Sequence, residues 1–303
     1  MRITQNMMAR MFTGVLRRQT LAMIGQQERI ATQKRINRPS DDPAGAGRVL
    51  SGRGVLAGIE KYASGIQQGK SRLEFNEETL KLIGDLVRQA RRTAEEKSAG
   101  GVSAAERALA ATTVREIADQ VLQLANARFN GEYVFGGDRR DVAPFVRDDE
   151  GNVTYRGESG AFFIPLPGGA RVAVDADGRN YFQNEAAGGV NLFDELRDLI
   201  GGLENPDLEE GTAQIQATLD PLERAEVQLR NKRAEAAPQA YRLQTTEEHL
   251  TRWRAAVEAA IGRDEDADVA QAIVELKNLE VAYESTLAAA SRILQPSLVD
   301  FLR

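Results

Sequence analysis

Eight apolar residues near the carboxyl end, Val269, Ile273, Leu276, Leu279, Tyr283, Leu287, Ala290 and Leu294, recur at steps of three and four. That spacing lays one apolar seam along a helix. A seam needs a partner, and the preceding run from Arg263 to Asp268 is too charged to supply one. The best candidate lies at the other end of the chain. There Ile3, Met7, Met8, Met11, Phe12, Val15, Leu16, Leu21, Met23, Ile24 and Ile30 form a broader stripe that is compatible with a helix.

Charge points the same way. Residues 1–38 hold eight Lys or Arg against Glu28, a net of +7, whereas residues 264–303 carry eight acids against three bases, a net of −5. Opposite charge flanking two apolar seams is how paired helices choose partner and register. The bland alternative is two independently solvated faces, since an exposed ion pair contributes only about 0–1 kcal/mol. A basic amphipathic amino terminus also suits a membrane-surface anchor or a transit peptide, but neither explains the acidic far end.

Composition narrows the classes. Of 303 residues 42% are hydrophobic but only 6% aromatic, a balance that favours long helices over a thick core, so an elongated molecule is expected. The absence of cysteine removes disulfides, thiolate catalysis and Cys-ligated metal. A net charge of −6 speaks against general nucleic-acid binding. No apolar run reaches the ~18 residues of a membrane span, so no membrane insertion is expected. The amino terminus lacks the apolar core and small-residue cleavage site of a secretory signal, and any export is expected to use another route.

The first helix should stop near Ile36, because Arg38 precedes Pro39 and is pushed out of the helical region. A new start follows: Ser40 or Asp41 can cap, Asp41 and Asp42 place negative charge at exposed amides, and Pro43 suits a first turn. Asp41 and Asp42 could instead be a carboxylate pair for metal or acid–base work, but adjacent side chains diverge and capping already accounts for them. Seven glycines then fall within residues 45–69. Each costs a helix about 1 kcal/mol relative to Ala, so this segment is either a loop or is held by packing against other chains.

Two stronger helices come next. One seam runs through Leu73, Leu80, Ile83, Val87, Ala90 and Ala94, and another through Ala110, Val114, Ile117, Val121 and Leu124. The short loop around Gly100 and Gly101 makes them antiparallel neighbours, and Asn130–Gly131 reads as the left-handed end of the second. From Tyr133 to Val174 the pattern changes to short β-type runs at 133–135, 145–146, 153–155, 162–164 and 171–174, divided by turn residues. About fifty residues bury little, so this is a small inserted β module. Helix returns after Asn191 and dominates from the Asp220–Pro221 start through Ile261, with a kink or break expected at Pro238.

Catalytic constellations are missing. Gly136–Gly137 lacks the GxGxxG spacing, and the single histidine, His249, sits in neither HExxH nor ExxH and reads as a helix-surface residue. Trp253, at helical spacing from Leu250 and Val257, reads as core. No cofactor and no metal site are expected, and an enzyme built on the helices is disfavoured.

The order of helix, RINRPSDDPAGAGRVL (Arg35 to Leu50), long helices, β insert, RAEAAPQAYRLQTTEEHL (Arg233 to Leu250) and a DADVA-headed terminal helix resembles the flagellin superfamily. MRITQNMM at the start, RFNGEYVFGG entering the insert and SRILQPSLVDFLR at the end look more like its hook–filament junction branch than like flagellin itself. Pro238 departs from the superfamily, where another residue is common. The resemblance implies a mainly α fold: an elongated antiparallel helical bundle or coiled coil formed by both chain ends, with a small inserted β domain. Residues 1–50 with 262–303 would form a terminal coiled coil lining an inner tube, 51–131 with 190–261 a helical bundle, and 132–189 an outward-facing β-rich insert.

The implied function is structural: an adaptor at the hook–filament junction of the bacterial flagellum, outside the cell. Implied partners are copies of itself in a ring or tubular layer, the first hook-associated protein, flagellin, an export chaperone and the type III export apparatus. The assembly surface is expected on Ile3, Met7, Met11, Val15, Val269, Ile273, Leu276, Leu279, Tyr283, Leu287, Leu294, Leu298 and Phe301. The loop and cap motif is expected on Arg35, Asn37, Pro39, Ser40, Asp41, Asp42 and Pro43. Alternatives are a filament subunit and, from another class, a secreted effector or adhesin acting through the β insert.

Overall fold

The computed structural model describes residues 5–99, 102–175 and 177–294. In chain order the elements are α1 (Gln5–Thr32), α2 (Pro43–Lys97), α3 (Ala104–Ala125), β1 (Arg128–Phe129), β2 (Glu132–Tyr133), β3 (Phe145–Arg147), β4 (Val153–Tyr155), β5 (Phe163–Pro165), β6 (Arg171–Ala173), α4 (Arg179–Phe182), α5 (Leu192–Glu204), α6 (Leu208–Glu265) and α7 (Val269–Leu294). They divide into two compact units, residues 1–59 with 251–303, and residues 60–250.

In the first unit both ends of the chain meet, as the opposed seams predict. On α1, Met8, Phe12, Val15, Gln19, Met23, Gln26 and Ile30 are half-buried along one face. Gln19 donates to the Thr286 hydroxyl at 3.1 Å and Gln26 to Glu275 at 2.6 Å, so α7 runs antiparallel to α1. The first helix ends at Thr32, four residues short of the expected Ile36. Gln33 takes a left-handed φ of 59°, and Lys34 leaves the helix to bridge Asp266 in antiparallel fashion.

The glycine-rich segment is not a loop: it is the first half of the 55-residue α2. Two of its glycines answer to close packing inside the unit. A Cβ on Gly45 would stand 2.5 Å from the Asp42 carboxylate and 2.7 Å from Ile36 Cδ1, and one on Gly52 2.8 Å from Ile261 Cγ1. Gly47, Gly54 and Gly58 meet nothing within 4 Å.

The second unit holds the larger core. The predicted seams on α2 and α3 bury Leu80, Ile83, Val87, Ala90 and Ala94 against Ala110, Val114, Ile117 and Val121. A capping box starts α3: Ser103 Oγ accepts from the Glu106 N–H at 3.3 Å, and the Glu106 carboxylate accepts from the Ser103 N–H at 2.9 Å. Gly100 and Gly101 lie outside the described residues. Asn130 and Gly131 do not end that helix. It stops at Ala125, and the two residues, at φ 51° and 87°, form the two-residue turn between β1 and β2, where Asn-Gly supplies the positive φ that such a turn needs.

Three antiparallel two-stranded ribbons, β1–β2, β3–β4 and β5–β6, carry the β-rich segment. Its aromatic residues join the helical core: Phe135 and Phe145 meet Phe182 edge to face at centroid distances of 5.1 and 5.4 Å, and Phe145 and Phe182 lie tilted against Phe193 of α5 at 5.2 and 6.2 Å. The α2 helix holds this segment through a buried network. Arg72 donates to Asp175 at 2.5 Å and to Glu132 at 3.0 Å, and Asn76 donates to Asp175 at 2.8 Å. Burial pushes the Asp175 carboxyl up, against the opposing pull of Arg72 and Asn76.

The Asp220–Pro221 start is also corrected. Asp207 accepts from the N–H groups of Glu209 and Glu210 at 2.9 and 3.0 Å and caps α6 thirteen residues earlier, and α6 then continues through both Pro221 and Pro238. Each internal proline costs about 3 kcal/mol. Burial of Leu222, Ala225 and Leu229 after the first, and of Leu243 and Leu250 after the second, offsets it at about 1.5–3 kcal/mol per leucine. Trp253, expected in the core, is exposed, whereas His249 sits on the surface of α6 as expected.

Candidate assembly interface

The loop motif organises the first unit. Asp42 caps α2, accepting from the Gly45 N–H at 2.9 Å with Pro43 in the first turn, so neither Ser40 nor Asp41 is the cap. Asp41 instead closes the preceding turn, accepting from the N–H groups of Asn37 at 3.1 Å and Arg38 at 2.8 Å. The Asn37 amide donates to the Lys34 carbonyl at 3.1 Å, and Pro39 and Ser40 lie exposed at the tip. The two carboxylates thus serve different turns, which is the capping reading of the pair.

Arg35 joins this loop to the other end of the chain. Its guanidinium donates to Asp42 at 3.2 Å and to the Asp264 carbonyl at 2.6 Å, while its N–H donates to the Glu265 carbonyl at 2.7 Å. Around it Arg48 grips Asp264 with two bonds of 3.0 and 2.6 Å, and Glu265 takes both Lys34 at 2.7 Å and Arg53 at 2.6 Å. The charged run before α7, read from sequence as too charged to partner the seam, is a latch holding α6 and α7 to the α1–α2 loop.

The electrostatics follow from these bonds. The Arg38 and Asn37 N–H groups hold Asp41 below the 3.8 of a free Asp, the Gly45 N–H and Arg35 do the same for Asp42, and Arg48 does it for Asp264. Burial pushes Glu265 up, but Lys34 and Arg53 more than offset it and hold the carboxyl below 4.5. All four are carboxylates in the folded state at neutral pH.

Along the helices the expected residues divide between two faces. Val15, Val269, Leu276, Leu279 and Tyr283 are half-buried. Met7, Met11, Ile273 and Leu287 are exposed, as are Leu21, Ile24, Val274 and Val281. Ile3, Leu298 and Phe301 lie outside the described residues, as does the side chain of Leu294. Ala272, one residue from the expected Ile273, is the residue that α7 buries, together with Ala290. Sequence reasoning overlooked Ala272, Gln19 and Gln26 because it counted large apolar residues, whereas close helix approach uses a small one and the polar pairs tie the two helices.

Among the described residues no group of three His, Cys, Asp or Glu side chains is placed to hold a metal, and no helix is long and apolar enough to cross a membrane. What the unit offers is apolar surface on two charged helices.

Comparison with known proteins gives this surface a setting. Residues 3–139 match the bacterial flagellin N-terminal helical region. Flagellar hook-associated protein 3 of Salmonella typhimurium is 26% identical over 260 residues, covering 80% of each chain. The flagellar filament 33 kDa core protein of Treponema phagedenis is 24% identical over 305 residues, covering 99% of each. A solved structure of a putative flagellar hook-associated protein from Vibrio parahaemolyticus superposes with a TM-score of 0.69 at 19% identity, covering 75% of this chain and 100% of that one.

Proposed function

We propose that the chain is a member of the flagellin superfamily and a structural adaptor of the bacterial flagellum, working at the hook–filament junction through its terminal helices. The observation that carries the reading is the pairing of α1 with α7 into a unit whose outer surface keeps Met7, Met11, Leu21, Val274 and Val281 exposed. Apolar residues repeated along both helices of one pair suit a protein completed by neighbours. Similarity to flagellar hook-associated protein 3 over most of both chains supports the junction over other places in a flagellum.

The partners proposed are copies of this chain in a ring or tubular layer, the first hook-associated protein on one side and flagellin on the other. Export is proposed to run through the flagellar type III apparatus without a cleaved signal, with a chaperone covering the terminal seam, so that the protein works outside the cell. A cysteine-free chain suits that passage, since no thiol can cross-link on the way.

Truncation before Ile293 tests the reading. Cells producing the shortened chain are expected to lose their filaments while residues 60–250 stay resistant to proteolysis; filaments that remain attached would refute it. The filament-subunit reading is supported by the Treponema match across nearly all of both chains. It predicts that the chain dominates protein sheared from flagella, whereas an adaptor is scarce there.

A further inference from the structure

Away from the terminal helices, a groove runs along the seam between α2 and α6 in the second unit. The two helices are antiparallel there: Lys70 donates to Glu247 at 2.9 Å and Arg233 to Glu77 at 3.1 Å. Two hollows of about 240 and 300 Å³ lie along the seam and share Arg233. On α2 their walls are Lys70, Glu74, Glu77, Lys81, Gly84 and Arg88, and on α6 Glu226, Arg230, Arg233, Ala237, Ala240 and Gln244. Both sets advance by steps of four and three, so each helix gives one continuous stripe to the groove. Buried Leu73, Leu80 and Leu229 close the floor.

The shape suits a helix. The stripe on α2 extends from residue 70 to residue 88, about 27 Å at the helical rise. Gly84, Ala237 and Ala240 raise no bulk above the floor, so a third helix can lie close over them. Each hollow is at or below the about 300–1,000 Å³ of a small-molecule site and fits side chains projecting from such a helix. Tyr241, 69% exposed, stands four residues after Ala237 and three before Gln244, on the same side of α6. An exposed tyrosine beside a groove is a natural anchor for a partner.

Charge identifies the occupant. The chain carries −6 overall, yet the hollow around Gly84 is lined by Lys81, Arg88, Arg230 and Arg233 against Glu226, which is already bonded to Arg91 at 2.8 Å. Lys81 and Arg88 are met by Glu78 and Asp85 on their own helix. The exposed Arg230 forms no salt bridge among the described residues, and Arg233 Nε has no hydrogen-bond partner. The hollow around Ala240 is balanced, with Lys70 and Arg233 against Glu74 and Glu77. We propose that this groove docks an amphipathic helix of another protein, with its small apolar face on Ala237 and Ala240 and its carboxylates at the Gly84 end, facing Arg230 and Arg233. A second copy laid groove to groove would instead oppose arginine to arginine. Every residue of the surface lies within residues 60–250, so the docking is independent of the terminal helices.

The test uses the full-length chain and two labelled synthetic helical peptides of about 20 residues, the length of the groove. Both carry an alanine and leucine stripe at steps of three and four; one is flanked at one end by glutamates, the other by lysines. Fluorescence anisotropy is expected to show the glutamate peptide binding at least about tenfold more tightly than the lysine peptide. Arg230→Glu should weaken the glutamate peptide by on the order of tenfold, and Ala240→Trp, which fills the groove, should abolish its binding. Circular dichroism checks that both variants keep their helices. Equal affinity for the two peptides, binding of neither, or binding that survives Ala240→Trp would overturn the proposal. So would sedimentation showing that the chain alone forms a dimer lost in Ala240→Trp, since a second copy would then fill the groove.

Discussion

Two glycines of α2, two residues apart in sequence, should respond differently to alanine. At Gly54 an added Cβ meets nothing within 4 Å, so only helix propensity acts and Gly54→Ala should stabilise the surrounding helix by about 1 kcal/mol. At Gly52 the Cβ would stand 2.8 Å from Ile261 Cγ1 and 3.0 Å from its Cδ1, so α6 or the isoleucine must move. Overpacking of that kind costs about 1–3 kcal/mol. Set against the same propensity gain, Gly52→Ala comes out roughly neutral to about 2 kcal/mol destabilising. Amide hydrogen exchange over residues 43–59 of the dissociated chain reads the difference locally. With tenfold per 1.4 kcal/mol, Gly54→Ala should slow exchange about fivefold, while Gly52→Ala leaves it unchanged or speeds it by up to about thirtyfold. Equal slowing by both substitutions would show that α2 and α6 do not approach at this point.

Other consequences follow from buried and latched charge. Arg72→Leu strands Asp175 in the interior and should lower stability to urea by about 3–5 kcal/mol, much of it recovered when Asp175→Leu is added; an unchanged midpoint for the single variant would contradict the network. The latch should loosen in acid. Asp41, Asp42, Asp264 and Glu265 all titrate lower folded than free, so their stabilisation is complete above the free values of 3.8 and 4.5 and is lost as pH falls through and below them. Amide protection at residues 33–46 and 262–268, corrected for intrinsic rates, should therefore drop on acidification below pH 4.5, and protection that rises instead would reverse the assignment. In the dissociated chain, α1 amides should exchange faster than those of residues 73–94, because one face of α1 is only half-buried whereas Leu80, Ile83 and Val87 are fully covered; equal protection would contradict an incomplete terminal unit.

Periodicity made most of this fold legible. Steps of three and four located α1, α3, α7 and the second half of α2, and short alternating runs located β3 to β6, because burial on one face leaves a mark at the helical or strand period. What escaped was governed by tertiary contact. Gly45 and Gly52 weaken α2 locally yet let Asp42, Ile36 and Ile261 come close, so the helix persists where propensity argues for a loop. Pro221 and Pro238 announce a start and a break, but the leucines buried after them outweigh both. At Asn130–Gly131 a correct expectation of left-handed backbone went with the wrong element, since a hairpin turn and a helix end ask for the same dihedral angles. In the candidate interface a capped helix start near Asp41 and Asp42 could be read from the residues themselves, but the cap is Asp42 rather than the expected Ser40 or Asp41. The latch of Arg35, Arg48 and Arg53 on Asp264 and Glu265 could not, because its partners lie more than two hundred residues apart and single charges carry no period.

The fate of the β-rich segment illustrates the same limit. Deleting residues 138–188 would remove most of the segment that reads from sequence as a small insert. In the fold that deletion would take out Phe145, Val153 and Phe182, which the helices use as core. Surface substitutions such as Phe163→Ser, on an exposed side chain of β5, are the suitable probe of any activity in this segment.

The central claim is a position: a structural layer between hook and filament, built from the two ends of the chain. Immunogold labelling of intact flagella with an antibody against this protein measures it directly. Gold confined to the hook–filament boundary is the predicted result. Gold distributed along the filament would make the chain a filament subunit, and flagella without gold would contradict the account.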